Sequence, residues 1–350
     1  MSDTLVQESA RRLFADLAAP ALINAAEAGT FPAELWNAVE TAGFTDALAA
    51  AAARPGDLAG IADAAAILRE AGRFAVPLPL AETMLARWLL AGAGIEPPQG
   101  PLTFLPIGRA SDLGAQREGS GWRLAGRATS VPWARQARGI AVLLEGQVAL
   151  LPAKALDLRA GKSLAGEPRD DLAVDAVAEA AKPAPAGVDA ALLYRLGALT
   201  RAVLMAGALE EVLRITVQYA NDRVQFGRPI AKFQAIQQQL AVLAENVAAA
   251  GVIAAAAVEA AAGGGDFPFT VAAAKSRVGE AAGKVAEMAH QVHGAIGFTH
   301  EHRLHHLTRR LWSWRDEFGV ESDWSMELGR IVAARGADGL WPLLTGSAVR

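Results

Sequence analysis

All six histidines of this 350-residue sequence fall in one stretch, H-Q-V-H-G-A-I-G-F-T-H-E-H-R-L-H-H, running from His290 to His306. Imidazole is a common metal ligand, so the cluster is first a candidate metal site. On a helix His302 would neighbour both His305 and His306. No H-E-x-x-H pattern accompanies them, and Glu301 adjoins His302 on a different face. The spacing therefore predicts no metal, with exposed histidines lining a loop and the helix that follows it.

A second dense run, Y-A-N-D-R-V-Q-F-G-R-P-I-A-K-F-Q, extends from Tyr219 to Gln234. A helix ends here, Gly227 permits a tight turn, and Pro229 can open the next helix. Arg223 at such a corner could fork onto a pyrophosphate through two parallel hydrogen bonds. It could equally satisfy the last carbonyls and the dipole of its own helix. Residue types alone leave both readings open.

The elements that must position these groups follow from periodicity. Val6, Ala10, Leu13 and Leu17 share one helix face, and prolines at 20, 32, 55, 77 and 79 punctuate a helical stretch over residues 1–100. Residues 101–186 hold short apolar runs between Gly, Pro and charged clusters, including Ala137 to Leu144 and Val148 to Leu151. Glu145-Gly146 between these two runs could close a hairpin, so a small β domain is expected. From 187 to 350 the chain is helical again. Leu204, Ala208, Val212, Ile215 and Tyr219 form one stripe; Ile236, Leu240, Leu243 and Val247 a second; Val278, Ala281, Val285, Met288 and Val292 a third. Three long stripes joined by short connections predict an antiparallel four-helix bundle in a mainly α protein. Its alanine-rich faces allow close helix approach and packing against a second copy.

Composition limits the chemistry. With 52% hydrophobic residues and 20% charged residues the chain can bury a large core, and a net charge of −4 argues against a nucleic-acid surface. The absence of cysteine excludes disulfides, thiolate nucleophiles and thiolate-bound metal. The N-terminus lacks the basic and apolar regions of a signal peptide, and the apolar run from Val247 to Ala262 carries Glu259 and reads as a packed helix. A cytoplasmic protein without a membrane partner is expected.

On these residues the sequence closely resembles the acyl-CoA dehydrogenase family, flavoenzymes that oxidise the Cα–Cβ bond of acyl thioesters. The family motif Y-x-x-x-R-x-x-F-G-x-x-I-x-x-F-Q is matched at every fixed position from Tyr219 to Gln234. Its Q-x-x-G-G-x-G motif appears as Gln291, Gly294 and Gly297, with Ala295 in place of the second glycine. The resemblance implies an α–β–α fold and bound FAD. Arg223 and Phe226 would contact its adenosine-diphosphate portion across a subunit interface, Gln234 would support that corner, and Gln291, Gly294 and Gly297 would line a neighbouring subunit's flavin. It also implies an acyl-CoA substrate, an electron-transfer flavoprotein as acceptor, and a homo- or hetero-oligomer.

Three departures qualify the resemblance. The family's T-E-P-x-A-G-S-D stretch survives only as Ser111-Asp112, and the middle domain is short. The catalytic glutamate of Y-E-G-T-S-E-I is matched best by Glu321, with Asp316 and Glu317 as fallbacks; the alternative family position falls near Gly197, which has no carboxylate. As a base, Glu321 needs a mostly apolar cleft that raises its pKa, with Phe318, Trp324 and Met326 as expected walls. Trp312, Trp314, Trp324 and Trp341 gather in the same region, where helix packing accounts for them. Two other expectations compete with a complete enzyme: a partner subunit of a heteromeric dehydrogenase, and a non-catalytic bundle scaffold.

Overall fold

A computed structural model describes residues 4–345 except 51–53, 55, 107–111, 119–120, 179–180 and 300. The chain divides into two compact units, residues 1–200 and 201–350. The first contains both the helical and the β stretches expected from the sequence.

In the first unit, α1 (Leu5–Leu17), α2 (Pro20–Glu27), α3 (Ala33–Thr41), α4 (Ala47–Ala50), α5 (Ile61–Arg73) and α6 (Leu80–Gly92) precede the strands. The buried face of α1 centres on Ala10 and Phe14, with Val6, Leu13 and Leu17 half-buried beside them. Helix α6 is buried on every side from Leu80 to Leu90 and packs against strand β1 (Leu102–Leu105). Thr83 ties the two together: its hydroxyl accepts from the Leu102 N–H at 3.0 Å. The charge that α6 buries at Arg87 is matched by Glu40 at 2.8 Å and Asp46 at 2.9 Å. Removing either carboxylate would leave a buried cation short of partners, which is the costly half of such a pair.

The remaining strands are β2 (Gly114–Glu118), β3 (Gly121–Pro132), β4 (Gly139–Leu144), β5 (Gln147–Pro152), β6 (Asp157–Arg159), β7 (Arg169–Ala178) and β8 (Lys182–Pro183). They form two four-stranded sheets, in the orders β1-β4-β5-β8 and β2-β3-β7-β6. Leu105, Ile140, Val142 and Leu151 from one sheet share a core with Leu124, Val131, Leu172 and Val174 from the other. The hairpin expected at Glu145-Gly146 joins β4 and β5, and both residues take positive φ, as a two-residue hairpin loop requires. The parallel pairing of β1 with β4 was not expected; neither local turn signals nor alternation reveals a parallel partner so far away in sequence.

Helix α7 (Ala190–Asp222) runs through the point of division. The second unit continues with α8 (Gln234–Glu259), α9 (Phe267–His293), α10 (Leu304–Asp316), α11 (Glu321–Arg335) and α12 (Ala337–Thr345). Gly263, at φ +99°, breaks the chain between α8 and α9, and Asp266 caps α9 by accepting from the Phe269 N–H at 3.0 Å. Helix α9 is central and packs against α8, α10 and α11. Its predicted stripe is the one it buries: Val278, Ala281, Val285 and Val292 lie at 6% exposure or less.

Candidate active site

The Arg223 segment folds into a miniature hairpin. After α7, β9 (Val224–Gln225) pairs antiparallel with β10 (Arg228–Pro229), and Phe226-Gly227 form the turn at φ +52° and +77°. Left-handed glycine costs nothing; left-handed phenylalanine is a strained outlier. Phe226 is also 92% exposed, so its own subunit gives it little in return. It meets the edge of Phe233 at 6.2 Å, and the Arg228 guanidinium lies 4.2 Å over the other ring. The corner is fixed by backbone bonds: Arg223 N–H donates to Tyr219 O, and Ile230 N–H to Arg223 O, both at 2.8 Å. The Arg223 side chain is exposed and engages no described acceptor, so it is not consumed in capping its helix. Gln234 begins α8 and is likewise exposed. The side chain that braces this corner is Gln237, whose Nε2 donates to Ala231 O at 3.0 Å.

The second motif lies at the end of α9. Gln291 is exposed on the last turn, and Gly294 closes the helix at φ +65° with its N–H on His290 O. The two glycines have different reasons. A Cβ at Gly294 would meet nothing within 4 Å, so backbone freedom explains it, whereas one at Gly297 would meet His290 Nδ1 and His293 Cβ at 3.1 Å. Gly297 is a packing glycine; Gly294 is the accessible one.

The histidines do not line an exposed loop. His290, His293, His305 and His306 are buried, and His300 lies outside the described residues. His290 stacks on Phe298 at 4.2 Å, and its Nε2 lies 3.0 Å from the Thr308 hydroxyl. Burial pushes the His290, His293 and His302 imidazoles below their usual range, favouring the neutral rings that such stacking accommodates. His302 precedes α10 rather than sharing a helical face with His305 and His306. Among the described residues no group of histidines and carboxylates could hold a metal.

The carboxylates are arranged differently. Glu321 opens α11, where its carboxylate is ion-paired with the Arg315 guanidinium and rests over Gly279 of α9; a Cβ there would overlap the Glu321 oxygen. Glu317 is held by Arg201, a residue of α7 with only 3% of its side chain exposed. Between them lies Lys275, 1% exposed, donating to Arg315 O at 2.6 Å and Gly319 O at 2.7 Å. Burial pushes its pKa down to about 8, against the opposing pull of Glu321 and Glu317. The expected apolar cleft around Glu321 is thus replaced by cationic partners. Of the expected walls, Trp324 and Phe318 are core residues and Met326 is 54% exposed. Trp314 and Trp324 are buried, Trp312 is half-buried over His290, and Trp341 is exposed. Lys275 was not anticipated, because a lone lysine inside an alanine-rich stripe resembles a solvated position. Ser111 lies outside the described residues; β1 leading to it is buried.

A family model for the acyl-CoA dehydrogenase C-terminal domain matches residues 194–315. Over 320 residues, 87% of this chain and 89% of the relative, the sequence is 31% identical to acyl-CoA dehydrogenase IpdE2 of Mycobacterium tuberculosis. The chain belongs to the acyl-CoA dehydrogenase family. Acyl-CoA dehydrogenase FadE27 of the same organism is 29% identical over 307 residues, covering 79% of this chain and 81% of the relative. Solved structures extend the likeness in fold. The ChsE4–ChsE5 complex from Mycobacterium tuberculosis superposes with a TM-score of 0.83 at 23% identity, covering 95% of this chain and 99% of that one. Butyryl-CoA dehydrogenase from Megasphaera elsdenii superposes at 0.77 with 17% identity, covering 95% and 99%. The mainly α acyl-CoA dehydrogenase fold expected from the sequence is therefore the fold observed.

Proposed function

We propose that this chain is an FAD-dependent acyl-CoA dehydrogenase subunit that oxidises the Cα–Cβ bond of an acyl-CoA thioester. The observation that carries this reading is the unengaged, solvent-facing guanidinium of Arg223 beside the strained, exposed Phe226. Both occupy the positions at which the family resemblance calls for contacts to the dinucleotide. An exposed guanidinium suits a pyrophosphate, the exposed Gln291 amide offers a further donor to a phosphate-bearing ligand, and Gly294, with no side chain, leaves room for it beside the helix end. All of these face solvent in one chain, as half of a site does when a second chain supplies the rest. Helix α8 is a suitable contact for that second chain. Along it Val242 and Val252 stand 46% and 71% exposed. Sedimentation is expected to show a dimer or higher assembly; a flavin-loaded monomer would contradict the interface reading.

When bound, the flavin supplies the hydride acceptor for the β-carbon. Within this chain Glu321 is the residue proposed to take the α-proton on a carboxylate oxygen. Arg315 holds that carboxylate in place, and Lys275 fixes the turn from which α11 starts. An electron-transfer flavoprotein is the proposed reoxidant. A second reading is favoured by the ion pairs around Glu321 and Glu317: this chain is the partner subunit of a heteromeric dehydrogenase, and the other chain provides an unpaired base.

The experiment is purification of the chain alone and together with the products of neighbouring genes, followed by an absorbance spectrum. Anaerobic flavin reduction would then be measured with linear, branched and sterol side-chain acyl-CoA thioesters. Arg223→Ala should weaken FAD by about 1.5–3 kcal/mol, roughly 10- to 150-fold in Kd. Absence of a yellow chromophore and of FAD binding, alone and with every partner, defeats the flavin reading. Reduction only in a two-chain complex selects the partner-subunit reading.

A further inference from the structure

The second motif begins at Gln291, 68 residues after Arg223, yet one ring touches the structural support of both. His293 is 3% exposed, and its ring stacks on Tyr219 with centroids 4.5 Å apart and planes at 23°. His302 packs against the same ring at a tilt, with centroids 4.6 Å apart and planes at 56°. Tyr219 and His302 also meet edge to face at 6.2 Å, so the three rings form a closed set. His293 Nδ1 lies 2.8 Å from the Ala289 carbonyl, which can only accept, so this nitrogen carries the proton and the ring's orientation is fixed.

Each ring is tied by backbone to an element of the proposed cofactor site. The Tyr219 carbonyl accepts from Arg223 N–H, and the Arg223 carbonyl accepts from Ile230 N–H, so the strained hairpin hangs from Tyr219. His293 directly precedes Gly294, and Gly297 is folded back to within 3.1 Å, from its would-be Cβ, of the His293 Cβ. His302 Nδ1 accepts from Leu304 N–H at 3.2 Å, which brings in the first turn of α10. We propose that His293 is a positioning residue: stacked on Tyr219 and packed at a tilt against His302, it sets the separation of the Arg223 hairpin from the Gln291–Gly297 loop. The cofactor part of this inference rests on the flavin reading above; the mechanical part does not.

A ring that merely fills space could be replaced by any side chain of similar volume. A ring that couples two segments cannot, because an aliphatic group offers no flat face to Tyr219. Hydrogen–deuterium exchange on the full chain separates these cases for wild type, His293→Leu and His293→Phe. His293→Leu is expected to raise exchange at residues 294–299 and also at 224–230, by roughly tenfold or more, as local opening becomes easier. His293→Phe, which keeps a ring, is expected to restore most of the protection in both segments. Where wild type binds FAD, the Leu variant should lose about tenfold in affinity and the Phe variant much less.

A rise confined to 294–299, with 224–230 unchanged, overturns the proposal and makes His293 a packing residue of its own loop. Equal behaviour of Leu and Phe overturns it too. Should His293→Leu fail to fold, Tyr219→Leu approaches from the other element and must raise exchange at 294–299; unchanged protection there is equally fatal. Failure of wild type to bind FAD defeats the flavin reading alone, because the exchange experiment still decides whether the two segments are coupled.

Discussion

The two ends of the candidate site treat their charges in opposite ways. At the Arg223 end the exposed guanidinium has no acceptor among the described residues, Phe226 is exposed in a strained turn, and Gly294 leaves its surroundings open. At the Glu321 end three of the charges have partners within the same chain: Glu321 with Arg315, Glu317 with Arg201, Lys275 with two carbonyls. An unpaired surface cation and a strained aromatic are tolerated when something outside the chain compensates them. Charges already paired within the chain need nothing from outside and resist rearrangement. The cofactor end is therefore built for completion by a ligand and a second subunit, whereas the base end is closed on itself.

The sharpest way to break this contrast is through Glu321. If it abstracts the α-proton, Glu321→Gln should keep the fold and FAD but reduce the rate of flavin reduction about 10³-fold or more, roughly 4 kcal/mol of transition-state stabilisation. Rapid-mixing absorbance under anaerobic conditions reads this directly. Near wild-type reduction would transfer the role to Glu317 or to a partner chain, and would make the closed base end a structural device.

Next in size is the effect of Lys275. Its folded pKa of about 8 lies below the ordinary 10.5, because burial disfavours the charged form. Below pH 8 the fold therefore bears a desolvation cost for the proton. Between pH 8 and 10.5 the unfolded chain binds more protons than the folded one, so stability rises with pH through that window. A shift of that size corresponds to about 3 kcal/mol. Lys275→Met has no such proton, so the wild-type stability curve should climb relative to the variant's by up to that amount between pH 8 and 10.5. Urea unfolding at a series of pH values checks it. Parallel curves would mean that water reaches Lys275 and that the base end is less closed than the hydrogen bonds indicate.

The contrast between the ends also explains what could be read from sequence. Helix faces are local and periodic, so Leu204, Ala208, Val212 and Ile215 announce a buried stripe and are buried. The Glu145-Gly146 hairpin is likewise written in two adjacent residues. The hairpin at Phe226-Gly227 was legible only as a tight turn, since a phenylalanine at positive φ is not what turn chemistry favours. Charge partnership is a tertiary property. Nothing adjacent to Glu321 indicates that Arg315 and a lysine 46 residues upstream (321 − 275) will surround it. The histidines were misjudged for a related reason: neutral stacked imidazoles are core groups, and only the fold reveals the rings they stack against.

The smallest expected effect tests the open end. Asparagine tolerates left-handed backbone, and Asn-Gly is the favoured pair for this two-residue hairpin loop. Phe226→Asn should relieve strain at the turn and stabilise the apoprotein by about 1 kcal/mol, the lower end of what a non-glycine residue in such a conformation costs. The same change removes an aromatic ring that is 92% exposed in one chain, so it should weaken FAD binding and subunit association. Thermal unfolding of the apoprotein and FAD titration would read the two effects separately. Opposite signs would show that the strain at Phe226 is kept for contacts outside its own subunit. A loss of apoprotein stability would instead mean that the contact with Phe233 is worth more than the backbone strain, and that the hairpin tip belongs to the fold rather than to the site.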